Sequence, residues 1–158
     1  MSTNYDKFFH LGLCMAGSIS AGAYTAGVID YLIEALEEWE KAKTSDSSVP
    51  QHQVIIDLLC GSSGGGMTGA ITQFALIDKL DHAKLNYDGV TYEKPINNIL
   101  WNTWVELTGQ DVFEQILSTD DIKGNDIRSA LNASFIDDVA NKLSAYIKNL
   151  GAKTLALP

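Results

Sequence analysis

Positive charge is scarce in this 158-residue sequence, which has 11 Lys and Arg against 20 Asp and Glu and a formal net charge of −9. Nucleic-acid binding draws most of its affinity from Lys and Arg that neutralise phosphates, so this balance argues against a nucleic-acid partner. It also provides no general attraction to anionic membranes, although a local apolar patch could still contact lipid. With 46% hydrophobic and 20% charged residues, the composition excludes wholesale disorder.

Cysteine is also scarce, since the chain has only two, Cys14 and Cys60, each at the end of an apolar run. One disulfide between them is an alternative, but buried free thiols in a reducing compartment are the favoured interpretation. Residues 1–7 hold one cation and one anion, which is a poor start for a signal peptide. The expected location is therefore the cytoplasm, and peripheral association with a membrane stays open.

Long uncharged runs are present, but both are interrupted. Residues 8–29 and 58–77 contain no Lys, Arg, Asp or Glu over about the length that a bilayer requires. Gly and Ser clusters break each run in the middle, which favours a buried strand, a tight turn and a helix packed against a sheet. A membrane-spanning segment is the weaker alternative.

The order of these units predicts a parallel α/β sheet in a single domain. The expected apolar stripe of the first helix is Val28, Leu32, Ala35, Leu36 and Trp39. The expected elements are strands at 8–15 and 54–60, helices at 23–43 and about 64–80, and a helical segment over 81–152 that includes an amphipathic helix from 136 to 150.

The C-terminal residues 153–158 (KTLALP) have the apolar character of a further parallel strand. Two clearly predicted strands and the start of a third are too few to complete a parallel sheet of this class. We therefore expect residues 1–158 to be the N-terminal portion of a three-layer α/β/α sandwich with a mainly parallel sheet, belonging to a longer protein.

The motif that carries chemistry is the turn after the second strand, where Gly61, Ser63 and Gly65 form G-x-S-x-G. In a nucleophile elbow the serine occupies a strained strand-to-helix turn, so the positions two before and two after it must lack side chains. The turn exposes the hydroxyl, and the helix N-terminus that follows favours developing negative charge.

Two other interpretations use the same residues. A Gly-rich turn can simply allow a helix to pack close to a strand, without chemistry. Residues 61–68 also have the glycine spacing of a phosphate-binding loop, but Met67 stands where the phosphate-binding Lys belongs, and a thioether cannot supply that charge.

A partner that would activate Ser63 is missing from the sequence. On an α/β-hydrolase fold, a triad needs an acid and then a His after the serine. His82 follows too soon, His10 lies in the first strand and His52 in a loop, so the sequence indicates a dyad or no catalysis. Asp78, Asp81 and His82 have the i, i+3, i+4 spacing of a metal face, but a solvated helix end is favoured and no metal is expected.

These features together resemble the patatin-like phospholipases, in which a strand, a Gly-rich turn, a helix of the form YxxGVLxxL and a strand ending in G-x-S-x-G-G follow one another. Residues 22–29 (GAYTAGVI) match the helix, and residues 61–66 (GSSGGG) match the elbow at the usual spacing. The resemblance covers about residues 8–80.

The resemblance implies a serine acyl hydrolase that acts on lipid or other carboxylic esters without a cofactor. Ser63 would attack the ester carbonyl, and amides of the turn at Gly17, Ser18 and Ile19 would hold the oxyanion. This turn departs from the family, because Ser18 and Ile19 stand at glycine positions and Ala21 replaces an Arg. Ile19 is β-branched and resists a positive φ.

The base of the family is an Asp in a D-G-G or D-G-A motif. Asp88-Gly89 is the one Asp-Gly pair in this sequence, and it follows the second helix inside loop-like sequence. We do not assign it, and expect the catalytic Asp beyond Pro158.

The competing hypothesis is a non-catalytic binding or interaction domain that retains the elbow for packing. Trp101, Trp104 and Phe113 would then offer a protein- or lipid-binding surface. Aromatic residues at this helical spacing are more typical of a core than of a contact surface.

Overall fold

A parallel pair of strands forms the centre of the protein. β1 (Phe8–Met15) pairs with β2 (Gln53–Gly61), with Met15 opposite Gly61 at the last rung. A bulge between Leu11 and Gly12 leaves Asp57 as the extra residue of β2. The computed structural model describes residues 7–18, 21–86, 92–106, 112–124, 126–127 and 129–150.

Two long helices follow the strands, as the sequence predicts. α1 (Gly22–Ser45) comes after β1, and α2 (Gly64–Ala75) comes after β2. Both contribute to one core on the inner face of the sheet, where Leu13 and Leu59 pack against it. The mixed α/β class is therefore confirmed. The buried members of this core are Met15, Ala26, Ile29, Ile33, Ile71, Ala75, Leu80, Ile99, Leu100 and Trp104.

The outer face of the sheet is exposed in the part of the chain that the structure describes. Phe8 is 38% exposed, Leu58 is 56% exposed, and Cys14 is exposed as well. The prediction of fully buried strands is wrong for this face, because the buried apolar residues of α1 and α2 belong to the core on the inner face. Residues 153–158, the predicted further strand, lie outside the described residues.

The first helix is rotated relative to its predicted stripe. Val28 is 49% exposed and Ala35 is exposed, whereas Ala26, Ile29 and Ile33 are buried. The predicted stripe is therefore wrong at Val28 and Ala35, whereas Leu32, Leu36 and Trp39 are half-buried, and the helix itself is confirmed.

The orientation of α1 buries Asp30. Its side chain is on the buried side of α1, where its Oδ1 lies 2.8 Å from His82 Nδ1 and accepts a hydrogen bond of 2.9 Å from Asn98 Nδ2. The backbone N–H of Ala83 donates to Oδ2 at 3.3 Å. Since a buried carboxylate is costly unless it is hydrogen-bonded, these partners stabilise the orientation of α1 in which Asp30 faces the core.

The second helix ends at Ala75 and not near residue 80. The chain turns after it, so that Leu80 is buried at 2% exposure. Asp81 accepts a hydrogen bond from the backbone N–H of Asn97 at 3.1 Å, and Asp78 accepts one from the Asn97 side chain at 3.3 Å. Asp78, Asp81 and His82 therefore do not share a helix face.

The second half of the chain packs onto α1 through Trp104. This residue lies in a π-helical turn (Trp101–Val105) and is 7% exposed. A Cβ added to Gly22 would lie 2.2 Å from its ring, so any larger residue at the start of α1 would displace this ring or the helix. Phe113, by contrast, is 77% exposed.

The remaining elements are β3 (Lys84–Leu85), antiparallel to β4 (Tyr92–Glu93), and the helices α3 (Val112–Leu117) and α4 (Ser134–Leu150).

The predicted amphipathic helix corresponds to α4, which joins the core through Leu143 and Tyr146. The Tyr146 hydroxyl donates to Asp78 Oδ2 at 3.2 Å. Burial raises the pKa of Tyr146 to about 12, with further contributions from the Asp78 charge and from this hydrogen bond.

This shift predicts how stability changes at alkaline pH. The pKa of Tyr146 is raised from 10.0 to about 12 on folding, so the unfolded chain loses this proton first. The stability that the protonated phenol contributes is present below pH 10 and is lost as the pH rises toward 12. The urea midpoint of the parent should fall more steeply over this window than that of Tyr146→Phe. Parallel curves for the two proteins would contradict the pKa shift.

Candidate functional site

The predicted elbow is a strained turn between β2 and α2. β2 ends at Gly61, α2 begins at Gly64, and Ser63 between them has φ 49° and ψ −124°. Among the described residues, Ser63 is the only non-glycine residue with a positive φ. Such a conformation costs about 1–3 kcal/mol and persists only where the surroundings enforce it.

The Ser63 side chain does not cap the helix that it precedes. A serine in this position commonly accepts a hydrogen bond from the first turn, but Ser63 makes no such bond. The N–H groups of Gly65 and Gly66 instead bond to the carbonyl of Ser62, at 2.9 and 3.3 Å. Ser63 is exposed, so its hydroxyl is available to an incoming molecule.

The two motif glycines are required by backbone contacts. A Cβ on Gly61 would lie 2.5 Å from the carbonyl carbon of Gly65. A Cβ on Gly65 would lie 2.3 Å from the carbonyl oxygen of Met15, at the end of β1. Real Cβ atoms do not approach backbone atoms this closely, so the spacing of G-x-S-x-G has a steric cause in this chain.

The turn after β1 lies beside the elbow. The N–H of Ser62 donates to the carbonyl of Met15 at 3.3 Å. A Cβ added to Gly17 would lie 3.3 Å from Ser63 Cβ and 3.1 Å from Ser62 Oγ. The structure thus brings Gly17 next to Ser63, whereas Ile19 lies outside the described residues.

Ser18 faces the start of α2. Its Oγ is buried, has no hydrogen-bond partner among the residues that the structure describes, and would lie 3.3 Å from a Cβ on Gly64. The carbonyl oxygen of Ser18 would lie 2.6 Å from the same Cβ, and the Trp104 ring 3.4 Å from it. The glycine after Ser63 is therefore required by the β1 turn, whereas the Trp104 ring would only be in ordinary van der Waals contact with a side chain there.

The three histidines lie elsewhere. His10 pairs with Asp57 at 2.6 Å on the outer sheet face, and the His52 ring contacts the Trp39 ring with centroids 4.7 Å apart. His82 lies between Asp30 and Glu37, whose Oε2 is 3.6 Å from His82 Nε2. Within the described ranges, no His or Asp side chain is hydrogen-bonded to Ser63. Asp88, the acid of the one Asp-Gly pair, is not among the described residues.

The Asp30 cluster was not found from the sequence. Asp30 falls in a helix rich in charge, and its partners His82 and Asn98 are 52 and 68 residues away along the chain. The one local signal is that the acidic residue interrupts the apolar run GVIDYLI. The cluster fixes the segment after α2 against α1.

The two cysteines are free thiols, and the β1–β2 register places Cys14 opposite Cys60. The prediction of free thiols agrees with this, but the prediction that both are buried is wrong, because Cys14 is exposed. Hydrogen bonding to Cys14, followed by desolvation, raises the pKa of the Cys60 thiol above its usual value.

Neither a metal centre nor a membrane helix is found in what the structure describes. No group of three or more His, Cys, Asp or Glu residues there is arranged to hold a metal ion. None of the described helices is both long enough and apolar enough to cross a bilayer.

Comparison with known proteins shows a similarity over most of the chain. The chain is 36% identical over 150 residues to the uncharacterized protein y4iI of Sinorhizobium fredii (strain NBRC 101917 / NGR234). The match covers 86% of this chain and 20% of that protein, so the chain spans about a fifth of the relative's length. No protein-family model and no solved structure matches the sequence.

The backbone contacts predict opposite effects of Ala at two glycines. Gly65→Ala should destabilise the fold by about 1–3 kcal/mol, because its Cβ would meet the Met15 carbonyl. Gly27→Ala is the matched control, since a Cβ there meets nothing within 4 Å and α1 should gain about 0.5–1 kcal/mol. Urea unfolding measures both changes. A Gly65→Ala variant as stable as the parent would show that the turn is not closely packed.

The positive φ of Ser63 predicts that the serine itself destabilises the fold. Ser63→Gly should raise the free energy of unfolding by roughly 0.5–2 kcal/mol over Ser63→Ala, because glycine adopts this backbone without strain. Both variants lack the hydroxyl, so the difference between their free energies of unfolding isolates the cost of the backbone conformation at residue 63. Equal stabilities would mean that Ser63 is not strained.

Proposed function

We propose that the protein is a serine acyl hydrolase of the patatin-like type, acting on lipid or other carboxylic esters, with Ser63 as its nucleophile. The observation that carries this proposal is the conformation of Ser63, a non-glycine residue held at φ 49° at the end of a parallel strand. A turn used only for packing would have no need to retain a side chain at a position that glycine occupies without strain.

The proposed reaction begins at the Ser63 hydroxyl. Its oxygen attacks the ester carbonyl carbon, and the proton of the hydroxyl passes to a base. The tetrahedral intermediate then expels the alcohol, which takes up a proton, and water later releases the acyl group from the serine. The exposure of Ser63 and the absence of a capping bond support this role.

The negative charge of the intermediate requires donors close to Ser63. The turn at Gly17, Ser18 and Ile19 is the proposed oxyanion hole, and the contact between Gly17 and Ser63 supports it. The N-terminus of α2 adds a favourable partial positive charge on the other side. The role of Ile19 rests on the resemblance alone.

The proposed reaction also requires a base that accepts the proton of the Ser63 hydroxyl. We assign it to an Asp outside residues 1–158, which would form a Ser-Asp dyad, since the three histidines are engaged with Asp57, Trp39 and Asp30. The proposed fold is the three-layer sandwich of the patatin type. The proposed location is the cytoplasm, with peripheral contact to lipid during turnover.

Active-site labelling tests the proposed nucleophile. A fluorophosphonate reacts with an activated serine hydroxyl, so it should label the full-length protein at Ser63, and Ser63→Ala should abolish the label. Ser62→Ala is the matched control, because Ser62 is the exposed neighbour in the same turn and should remain dispensable. Tandem mass spectrometry of the labelled peptide identifies the modified residue.

Two outcomes would contradict the proposal. Labelling that survives Ser63→Ala would place the reactive group elsewhere. A full-length protein that binds no probe at Ser63 and hydrolyses no ester would favour the non-catalytic binding domain, in which exposed residues such as Phe113 contact a partner.

A further inference from the structure

A cavity of about 450 Å³ lies between α1 and the helical segment that packs on it. Its α1 wall is formed by small residues such as Ala23 and Gly27, and a Cβ added to Gly27 would meet nothing within 4 Å. The opposite wall includes Leu100 and Val105. Pockets that hold small molecules have volumes of about 300–1,000 Å³, so this cavity is large enough for a ligand. The elbow residues 61–65 do not line it.

The third layer of the proposed fold would not cover this cavity. Its lining contains no residue of β1 or β2, and α1 lies against the inner face of the sheet. A helical layer on the outer face of the sheet would therefore leave the cavity as it is.

The charges that line the cavity have one sign. Asp30 and Glu34 lie one turn apart on α1 and both line the cavity, whereas no Lys, Arg or His is among its lining residues. Carboxylates at positions i and i+4 of a helix repel each other. A cleft with apolar walls and charge of one sign also concentrates ions of the opposite sign. A cation that entered the cavity would therefore relieve the repulsion between the two carboxylates.

The histidine next to the cavity does not cancel this charge. His82 Nδ1 lies 2.8 Å from Asp30 Oδ1, and His82 Nε2 lies 3.6 Å from Glu37 Oε2. Even a protonated His82 would face two carboxylates, and the charge of Glu34 would remain uncompensated. No Lys, Arg or His among the described residues forms an ion pair with Glu34.

The walls of the cavity favour an organic cation over a metal ion. Ions such as Mg²⁺ and Ca²⁺ require about six oxygen ligands, and no described group of three or more His, Cys, Asp or Glu residues could hold a metal. Tyr31 and Trp101 line the cavity instead, and the face of an aromatic ring attracts an ammonium group. Trp101 also begins the π-helical turn, a local structure that is frequent at functional sites.

We propose that this cavity binds a small organic cation, an ammonium group with apolar substituents, whose charge is balanced by Glu34 and Asp30. The aromatic rings of Tyr31 and Trp101 contact the ammonium group, and the small α1 wall at Gly27 accommodates its substituents. This binding site is separate from the proposed ester hydrolysis and does not depend on it.

Isothermal titration calorimetry of the full-length protein with choline tests the proposal. The matched neutral probe is neohexyl alcohol, in which a carbon atom replaces the quaternary nitrogen of choline. Choline should bind about tenfold more tightly than the alcohol. Glu34→Gln should weaken choline binding by roughly five- to tenfold and leave binding of the alcohol unchanged. Gly27→Leu, whose side chain would fill the cavity, should abolish binding of both probes.

Glu40→Gln is the matched control for the loss of charge. Glu40 lies on the same helix, is paired with Lys43, and does not line the cavity. This variant should bind choline as tightly as the parent does. Urea unfolding shows whether each variant is folded, and the comparison of the two Gln variants does not depend on the folding of Gly27→Leu.

Three results would overturn the proposal. The first is a parent protein that binds no choline at millimolar concentrations. The second is an equal affinity for choline and neohexyl alcohol, which would mean that the cavity does not recognise charge. The third is a Glu34→Gln variant that binds choline as tightly as Glu40→Gln, which would place the cation elsewhere. These readouts require no ester hydrolysis, so they test the cation site independently of the proposed function.

Discussion

The contact between the end of β1 and the start of α2 is the constraint on which the rest of the elbow depends. The Met15 carbonyl oxygen occupies the space that a Cβ on Gly65 would need, at 2.3 Å. The same carbonyl oxygen accepts a hydrogen bond from the backbone N–H of Ser62. The relative positions of the Gly17 turn and Ser63 therefore follow from backbone packing, which is stiffer than contact between long side chains.

The strain at Ser63 is maintained by the helix that follows it. Thr68 and Thr72 are fully buried, and their hydroxyls donate to the carbonyls of Gly64 and Thr68 at 2.8 and 2.7 Å. Ile71 and Ala75 of the same helix are in the core. A firmly packed α2 can hold the preceding turn in a conformation that an isolated peptide would leave.

Among the contacts that fix the second half of the chain to the first are a polar one and an apolar one. The polar contact is the buried carboxylate of Asp30 with His82 and Asn98. The apolar contact is the ring of Trp104, which lies against Gly22 and close to Gly64, the first residues of α1 and α2. Through Trp104, the helical half supports both helix N-termini beside the elbow, so it forms part of the framework of the site.

The sequence by itself determined the strands, the two long helices and the glycine positions of the elbow, because these depend on local periodicity and on steric exclusion within a few residues. The tertiary structure decided which face of α1 is buried and where α2 ends. Those outcomes depend on Asp30 and Asn97 finding partners more than ten residues away along the chain, at His82 and Asp81. The tertiary structure also decided that Cys14 lies opposite Cys60. These residues are 46 positions apart in the sequence, and the register between their strands is set by the packing of the whole sheet and not by either strand alone.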